Sequence, residues 1–353
     1  MITVHCGLPK TGTTSIQIGL RLASAKSDRL IIVPDERDDN SEEWWTQCLR
    51  KLGRSRDGIL SHEGLLFGTG KELISEERVR LLRDCLAGSQ FQVVIYLRPQ
   101  IDWLASLYLQ SATTGSTEGP ELFWQRMKPQ RMLIWSNLLT ALREESGAVN
   151  VVARVHSSSR DAVTDFFHLC SLGDPPRVGK SPIRENLSIK AVQAPILIAI
   201  NRETTSEAAE HGKLRQVFQQ VLSQEAPGGF SPFPERVQRD ISSTYMHDWD
   251  VVADSVGIQD KTEANVFKSE SVRWRAIPIA YAGDSLEYSP VQREAMRTIG
   301  QLARNLELGV PGRLERLKVK FKSDPRGLPV VARRALLRQI SKTRWERKAK
   351  GIP

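Results

Sequence analysis

The residues best equipped for chemistry stand at the start of the chain. The run His5-Cys6-Gly7-Leu8-Pro9-Lys10-Thr11-Gly12-Thr13-Thr14-Ser15 combines two glycines, one lysine and four hydroxyls. Backbone N–H groups of a glycine-rich turn, with the positive end of a helix behind them, suit an oxyanion bearing several charges. The spacing from Gly7 to Gly12 matches a P-loop, yet Thr13 stands where GxxxxGK[ST] needs its lysine. Lys10 lies inside the loop instead. From there its ammonium reaches the bridging oxygen of a nucleotide anhydride, the atom on which charge builds as a leaving group departs. The strand-like run Phe91-Gln-Val-Val-Ile-Tyr-Leu-Arg98 ends in arginine rather than an acid of the Walker-B sort, which disfavours a magnesium-dependent triphosphatase.

Two further places supply matching groups. Arg98 closes that run, and Ser106 follows eight residues later, two turns into a predicted helix. A guanidinium offers a fork of donors and a serine one hydroxyl, together suited to a phosphate. Between loop and arginine, Ser61-His62-Glu63 lies just beyond another apolar run and offers either an imidazole or a carboxylate as a proton acceptor. His5 and His156, at the ends of their runs, are read as structural. Arg184 and Asn186, in Lys-Ser-Pro-Ile-Arg-Glu-Asn-Leu-Ser, precede a helical stretch and are candidates to close over a ligand.

These groups need a scaffold. Short apolar runs recur at residues 2–5, 30–33, 58–62, 91–97 and 149–155, separated by segments with helical spacing such as Leu81, Leu82 and Leu86. Strand, loop and helix in immediate succession at the start form the unit that holds phosphate at a helix N-terminus, with Thr13 or Thr14 as expected cap. Strands alternating with helices predict an α/β fold, a mostly parallel central sheet flanked by helices. Ligands bind such sheets at the carboxyl ends of the strands, where all these motifs fall. Beyond about Pro182 the pattern turns helical, and residues 257–285 read as irregular.

The loop Leu8-Pro9-Lys10-Thr11-Gly12-Thr13-Thr14-Ser15 closely resembles the 5′-phosphosulfate loop, PK[ST]GTT, of sulfotransferases that use 3′-phosphoadenosine 5′-phosphosulfate (PAPS). The Arg98-x7-Ser106 pair resembles their 3′-phosphate motif, Ser61-x-Glu63 their base-bearing segment in bacterial and glycan-type members, and Asn186-x-Ser188 a loop of bacterial relatives. The likeness spans about the first 190 residues and implies a P-loop-like sulfotransferase fold with a helical C-terminal part. It implies PAPS as donor and adenosine 3′,5′-bisphosphate (PAP) as product, without a metal. Lys10, Thr11, Gly12, Thr13, Thr14 and Ser15 would hold the 5′ end, Arg98 and Ser106 the 3′-phosphate, with Arg184 and Asn186 nearby. Glu63 would take the acceptor proton, with His62 as the alternative. The acceptor hydroxyl or amine would belong to a carbohydrate or glycolipid. The rival readings are a P-loop kinase and a non-catalytic glycan- or membrane-binding scaffold.

A 353-residue chain with 40% hydrophobic and 26% charged residues has the composition of a globular protein with a sizeable core. The expected division is an α/β domain over 1–256, an irregular and helical extension over 257–312, and a basic amphipathic tail over 313–353. The net charge of +9 resides in that tail, since the sequence from Arg313 onward holds 14 basic and three acidic residues. This argues against a chain-wide nucleic-acid surface and makes the tail a candidate for an anionic membrane face. The four cysteines are scattered without metal-like spacing. With no leader-like start and no spanning run, the expectation is a cytoplasmic protein, peripheral to the inner face of the membrane if the tail docks there. Five tryptophans, Trp44, Trp45, Trp103, Trp124 and Trp135, are core residues or a sugar platform.

Overall fold

The computed structural model describes residues 1–34, 41–67, 73–156, 161–176, 191, 194–203, 231–257 and 260–275. Arg184, Asn186 and the basic tail lie outside the described residues, so the roles expected of them have no structural counterpart here.

The five apolar runs form five strands: β1 Ile2–Cys6, β2 Leu30–Ile32, β3 Gly58–His62, β4 Phe91–Leu97 and β5 Asn150–Val155. They make one sheet in the order β2-β3-β1-β4-β5, with every pairing parallel. β1, β3 and β4 are buried along their whole length, as strands covered on both faces must be. β5 alternates half-buried and buried positions and lies at one end of the strand order.

Ten α-helices are described: α1 Thr13–Ser24, α2 Glu42–Gly53, α3 Glu76–Leu86, α4 Gln100–Thr113, α5 Pro120–Met127, α6 Trp135–Glu145, α7 Ala162–Leu169, α8 Ala194–Glu203, α9 Glu235–Gly257 and α10 Lys261–Arg275. Helix α1 buries Ile16 and Leu20, one turn apart, against Val94 and Tyr96 of β4 and against Val163, Phe166 and Phe167 of α7. Gly19 makes that closeness feasible, because a methyl group there would lie 3.1 Å from Phe167. Leu22, which the sequence places among the apolar positions of α1, is 43% exposed. The segment 261–275, expected to be irregular, is helical: Asp260 accepts the Glu263 N–H at 3.0 Å, a side-chain cap that starts α10.

The chain divides into two units. The first comprises Met1–Leu104, Arg126–Asn186 and Arg239–Ile277 and holds the whole sheet; the second comprises Ala105–Gln125, Leu187–Gln238 and Pro278–Pro353. In the second, Asn201 donates to the carbonyls of Ala112 and Ser116, both at 2.8 Å, and Tyr108 packs on Phe123 and Phe233.

Within the first unit, α10 is fastened to β5 by charge. Glu263, 2% exposed, accepts the Val155 N–H at 2.7 Å, and Arg154 reaches Asp260 at 2.8 Å, Glu263 at 3.6 Å and Asp165 at 3.8 Å. The Glu263 N–H and the Arg154 guanidinium hold the Asp260 carboxyl below its ordinary value. Replacing Glu263 by alanine leaves a buried N–H without its acceptor. The expected cost is about 2–4 kcal/mol, read as a lower urea midpoint at unchanged slope.

Candidate functional site

Strand order fixes where a ligand can sit. The connection leaving β1 runs through α1 to β2 on one side of the sheet order, whereas β4 leads to β5 on the other. Neighbouring strands whose connections diverge leave a crevice beyond their carboxyl ends. Lys10 follows β1 and Arg98 follows β4, so both predicted cations lie at that crevice. Arg98 Nη1 donates to the Lys10 carbonyl at 3.4 Å, a long hydrogen bond that joins the two motifs directly.

The loop between β1 and α1 is shaped by its own side chains. The Gly7 N–H donates to the His62 carbonyl at 3.1 Å, tying the entrance to the end of β3. A methyl on Gly7 would stand 2.3 Å from Thr13 Cγ2, so no other residue fits there while Thr13 keeps its place. Thr11 and Thr13 both donate their hydroxyls to the Leu8 carbonyl, at 2.7 and 3.1 Å. Thr13, one of the two expected caps, does not cap the helix, and both hydroxyls are buried against the loop's own backbone. Lys10 has φ of 64° and Gly12 of 83°, two left-handed residues flanking Thr11. For glycine this conformation is free, whereas for lysine it costs about 1 kcal/mol.

Helix α1 is capped by Gly12 with no side-chain hydrogen bond, and its first turn carries no acid. The amides of Thr13, Thr14 and Ser15 precede the first intrahelical bond, from the Ile16 N–H to the Gly12 carbonyl. Other helices differ. α2 and α3 are capped by Ser41 and Ser75 with two glutamates each in the first turn, and α7 is capped by Asp161. α6 borrows Asp248 of α9, which accepts from the amides of Trp135 at 2.6 Å and Ser136 at 2.9 Å. The positive end of α1 has neither device and faces the loop that carries Lys10.

Buried indoles set the positions of both motifs. Trp103 Nε1 donates to the Pro9 carbonyl and Trp135 Nε1 to the Arg98 carbonyl, each at 2.8 Å. The two rings meet edge to face, with centroids 5.2 Å apart. Gln100 braces them from behind, donating to Asp248 at 2.7 Å and accepting from Trp249 at 2.5 Å. Trp45, Trp103, Trp124 and Trp135 are all at most 3% exposed, so these four are core residues and present no face to a sugar.

On the other side of β1, His62 ends β3 and Glu63 begins the turn after it. His62 Nδ1 accepts the Gly64 N–H at 2.8 Å, and its ring abuts Trp45. With Nδ1 so engaged, a neutral ring carries its proton on Nε2. Glu63 is half-buried. Ser106 is half-buried on α4, beyond the point where that helix passes into the second unit. The two histidines read as structural part company. His5 is wholly buried, its Nδ1 2.8 Å from the Ser61 hydroxyl, and burial pushes its pKa down to about 3. His156 is half-buried at the end of β5, and a methyl on Gly12 would stand 3.5 Å from its Nε2. Sequence spacing gave no sign of that neighbour, because parallel pairing of β4 with β5 brings it there.

The first unit therefore brings together Lys10, Gly12, Thr14, Ser15 and Arg98, with His62 and Glu63 one strand away. Comparison with protein-family models, with curated proteins and with solved structures found no match.

The left-handed backbone at Lys10 has a measurable consequence. Lys10→Gly relieves the strain and Lys10→Ala does not. The glycine variant should be the more stable by about 1 kcal/mol in urea denaturation, reversing the order usual elsewhere in a chain.

Proposed function

We propose that this chain is a sulfotransferase of the P-loop-like fold, transferring a sulfuryl group from PAPS to an acceptor hydroxyl or amine. The observation that carries the reading is the hydrogen bond from Arg98 to the Lys10 carbonyl. It sets the strand-end guanidinium against the backbone of the loop that carries Lys10, beside a helix N-terminus with no acid of its own. Such a crevice favours a ligand with two separate anionic groups on one nucleoside. Thr13 weighs against a P-loop kinase. At the position where that loop needs an ammonium it offers a buried hydroxyl already donated to Leu8.

Each residue has a distinct task in this reading. The amides of Thr13 to Ser15 and the Lys10 ammonium bind the 5′-phosphate, with Lys10 meeting the oxygen that gains charge as the S–O bond to phosphate breaks. Arg98 binds the 3′-phosphate. The acceptor oxygen or nitrogen forms the new bond to sulfur, and Glu63 takes its proton. Glu63 is preferred to His62 because the His62 Nδ1 is already an acceptor for a backbone amide and the neutral ring's other nitrogen holds a proton. The acceptor is proposed as a saccharide or glycolipid by likeness of motifs alone.

Calorimetric titration tests the nucleotide assignment. PAP should bind at least about tenfold tighter than AMP, a margin that Arg98→Ala abolishes. Equal affinity for the two nucleotides sinks the reading. The base is tested by turnover with labelled donor. Glu63→Gln should lower kcat by about 10²–10⁴ with PAP affinity retained, whereas His62→Gln should change kcat far less.

A further inference from the structure

We infer that His156 is a third cationic group of this oxyanion site, neutral in the free protein and imidazolium once a nucleotide phosphate lies beside it. The inference rests on the nucleotide reading above and adds proton-coupled binding to it.

Geometry comes first. The His156 N–H donates to the Leu97 carbonyl at 2.7 Å, which continues the β4–β5 pairing by one residue and fixes His156 next to Arg98. The edge of its ring faces Gly12, where an added methyl would lie 3.5 Å from Nε2 and 3.6 Å from Cδ2. Gly12 is the cap of α1, so the ring edge lies beside the residue that precedes the amides opening the helix. Absence of a side chain on Gly12 keeps that approach clear, and Ala162 is the other near neighbour, 3.2 Å from the same added methyl.

The surrounding charges set the sign. Arg98, just beyond β4, is a cation and disfavours a protonated ring. The carboxylates of the packing elements are engaged elsewhere. Asp161 of α7 accepts from the Val163 N–H at 3.1 Å and the Thr164 hydroxyl at 2.8 Å. Asp165 of α7 takes the Tyr96 hydroxyl at 2.7 Å, and Glu263 of α10 takes the Val155 N–H at 2.7 Å. Burial, then Arg98, push His156 down to about 4, against the opposing pull of its own backbone carbonyl. A phosphate bound to Arg98 and Lys10 offsets both cations and adds negative potential, so it raises that value. Between the free and the bound values, binding takes up a proton, and affinity rises as pH falls through that window.

The nucleotide's own phosphates act in the opposite sense, releasing protons as they bind. Comparing wild type with His156→Gln removes that contribution. The experiment is calorimetric titration of PAP near pH 7 in buffers of differing ionisation enthalpy, on the full chain. Wild type should take up more protons than His156→Gln. Its affinity should exceed the variant's by about 3–10-fold at pH 6 and converge with it at pH 9. PAP binding with equal proton exchange in both proteins overturns the role of His156 while leaving the nucleotide site standing. Binding of PAP by neither protein overturns the nucleotide reading and this inference together. If His156→Gln fails to fold, ring NMR of wild-type His156 decides: a ring still neutral with PAP bound at pH 6 refutes the inference, and a protonated one supports it.

Discussion

Two carbonyls held by two indoles fix the spacing of the whole site. Trp103 takes the Pro9 carbonyl, Trp135 takes the Arg98 carbonyl, and the rings rest on each other at 5.2 Å. Backbone carbonyls in a loop and at a strand end are otherwise free to reorient. Once each is bonded to a buried ring that fills its own space, moving either motif means breaking a hydrogen bond in a dry interior or opening a cavity. Gln100 and Asp248 extend the same network to the start of α6. The separation of Lys10 from Arg98 is thus a property of the core, settled before any ligand arrives.

Helix ends show a complementary economy of charge. Carboxylates or hydroxyls close α2, α3, α6 and α7, and Asp248 does so from another helix. At α1 the Thr11 and Thr13 hydroxyls are turned inward to Leu8, the cap is a glycine, and the first turn carries no acid. Local stability is given up at one helix end, in a backbone that also strains Lys10. These departures are concentrated in one loop, which is why it is the candidate site.

The strands were legible because each is a compact apolar run, and parallel order followed from the helices between them. The loop and Arg98 were legible from residue type. What escaped reading was whatever depends on a partner distant in sequence. His156 looks like any strand-end histidine until β5 is laid beside β4. The threonines of the loop read as ligand groups, since nothing local shows their hydroxyls bending back to Leu8. Helix α10 was passed over although Asp260 and Glu263 have the spacing of a capping box, because Glu263 turns to β5 instead of to its own first amide.

That same glutamate has a bearing on how the chain is made. Val155 belongs to the strand that ends the order among the described residues, an edge position that invites unwanted pairing, and its cover arrives 108 positions later. At a synthesis rate of about 5–20 residues per second, the sheet edge emerges from the ribosome roughly 5–20 seconds before the helix that seals it. Arg154, on the half-buried side of β5, is the charge that this edge carries until its partners Asp260 and Glu263 are translated.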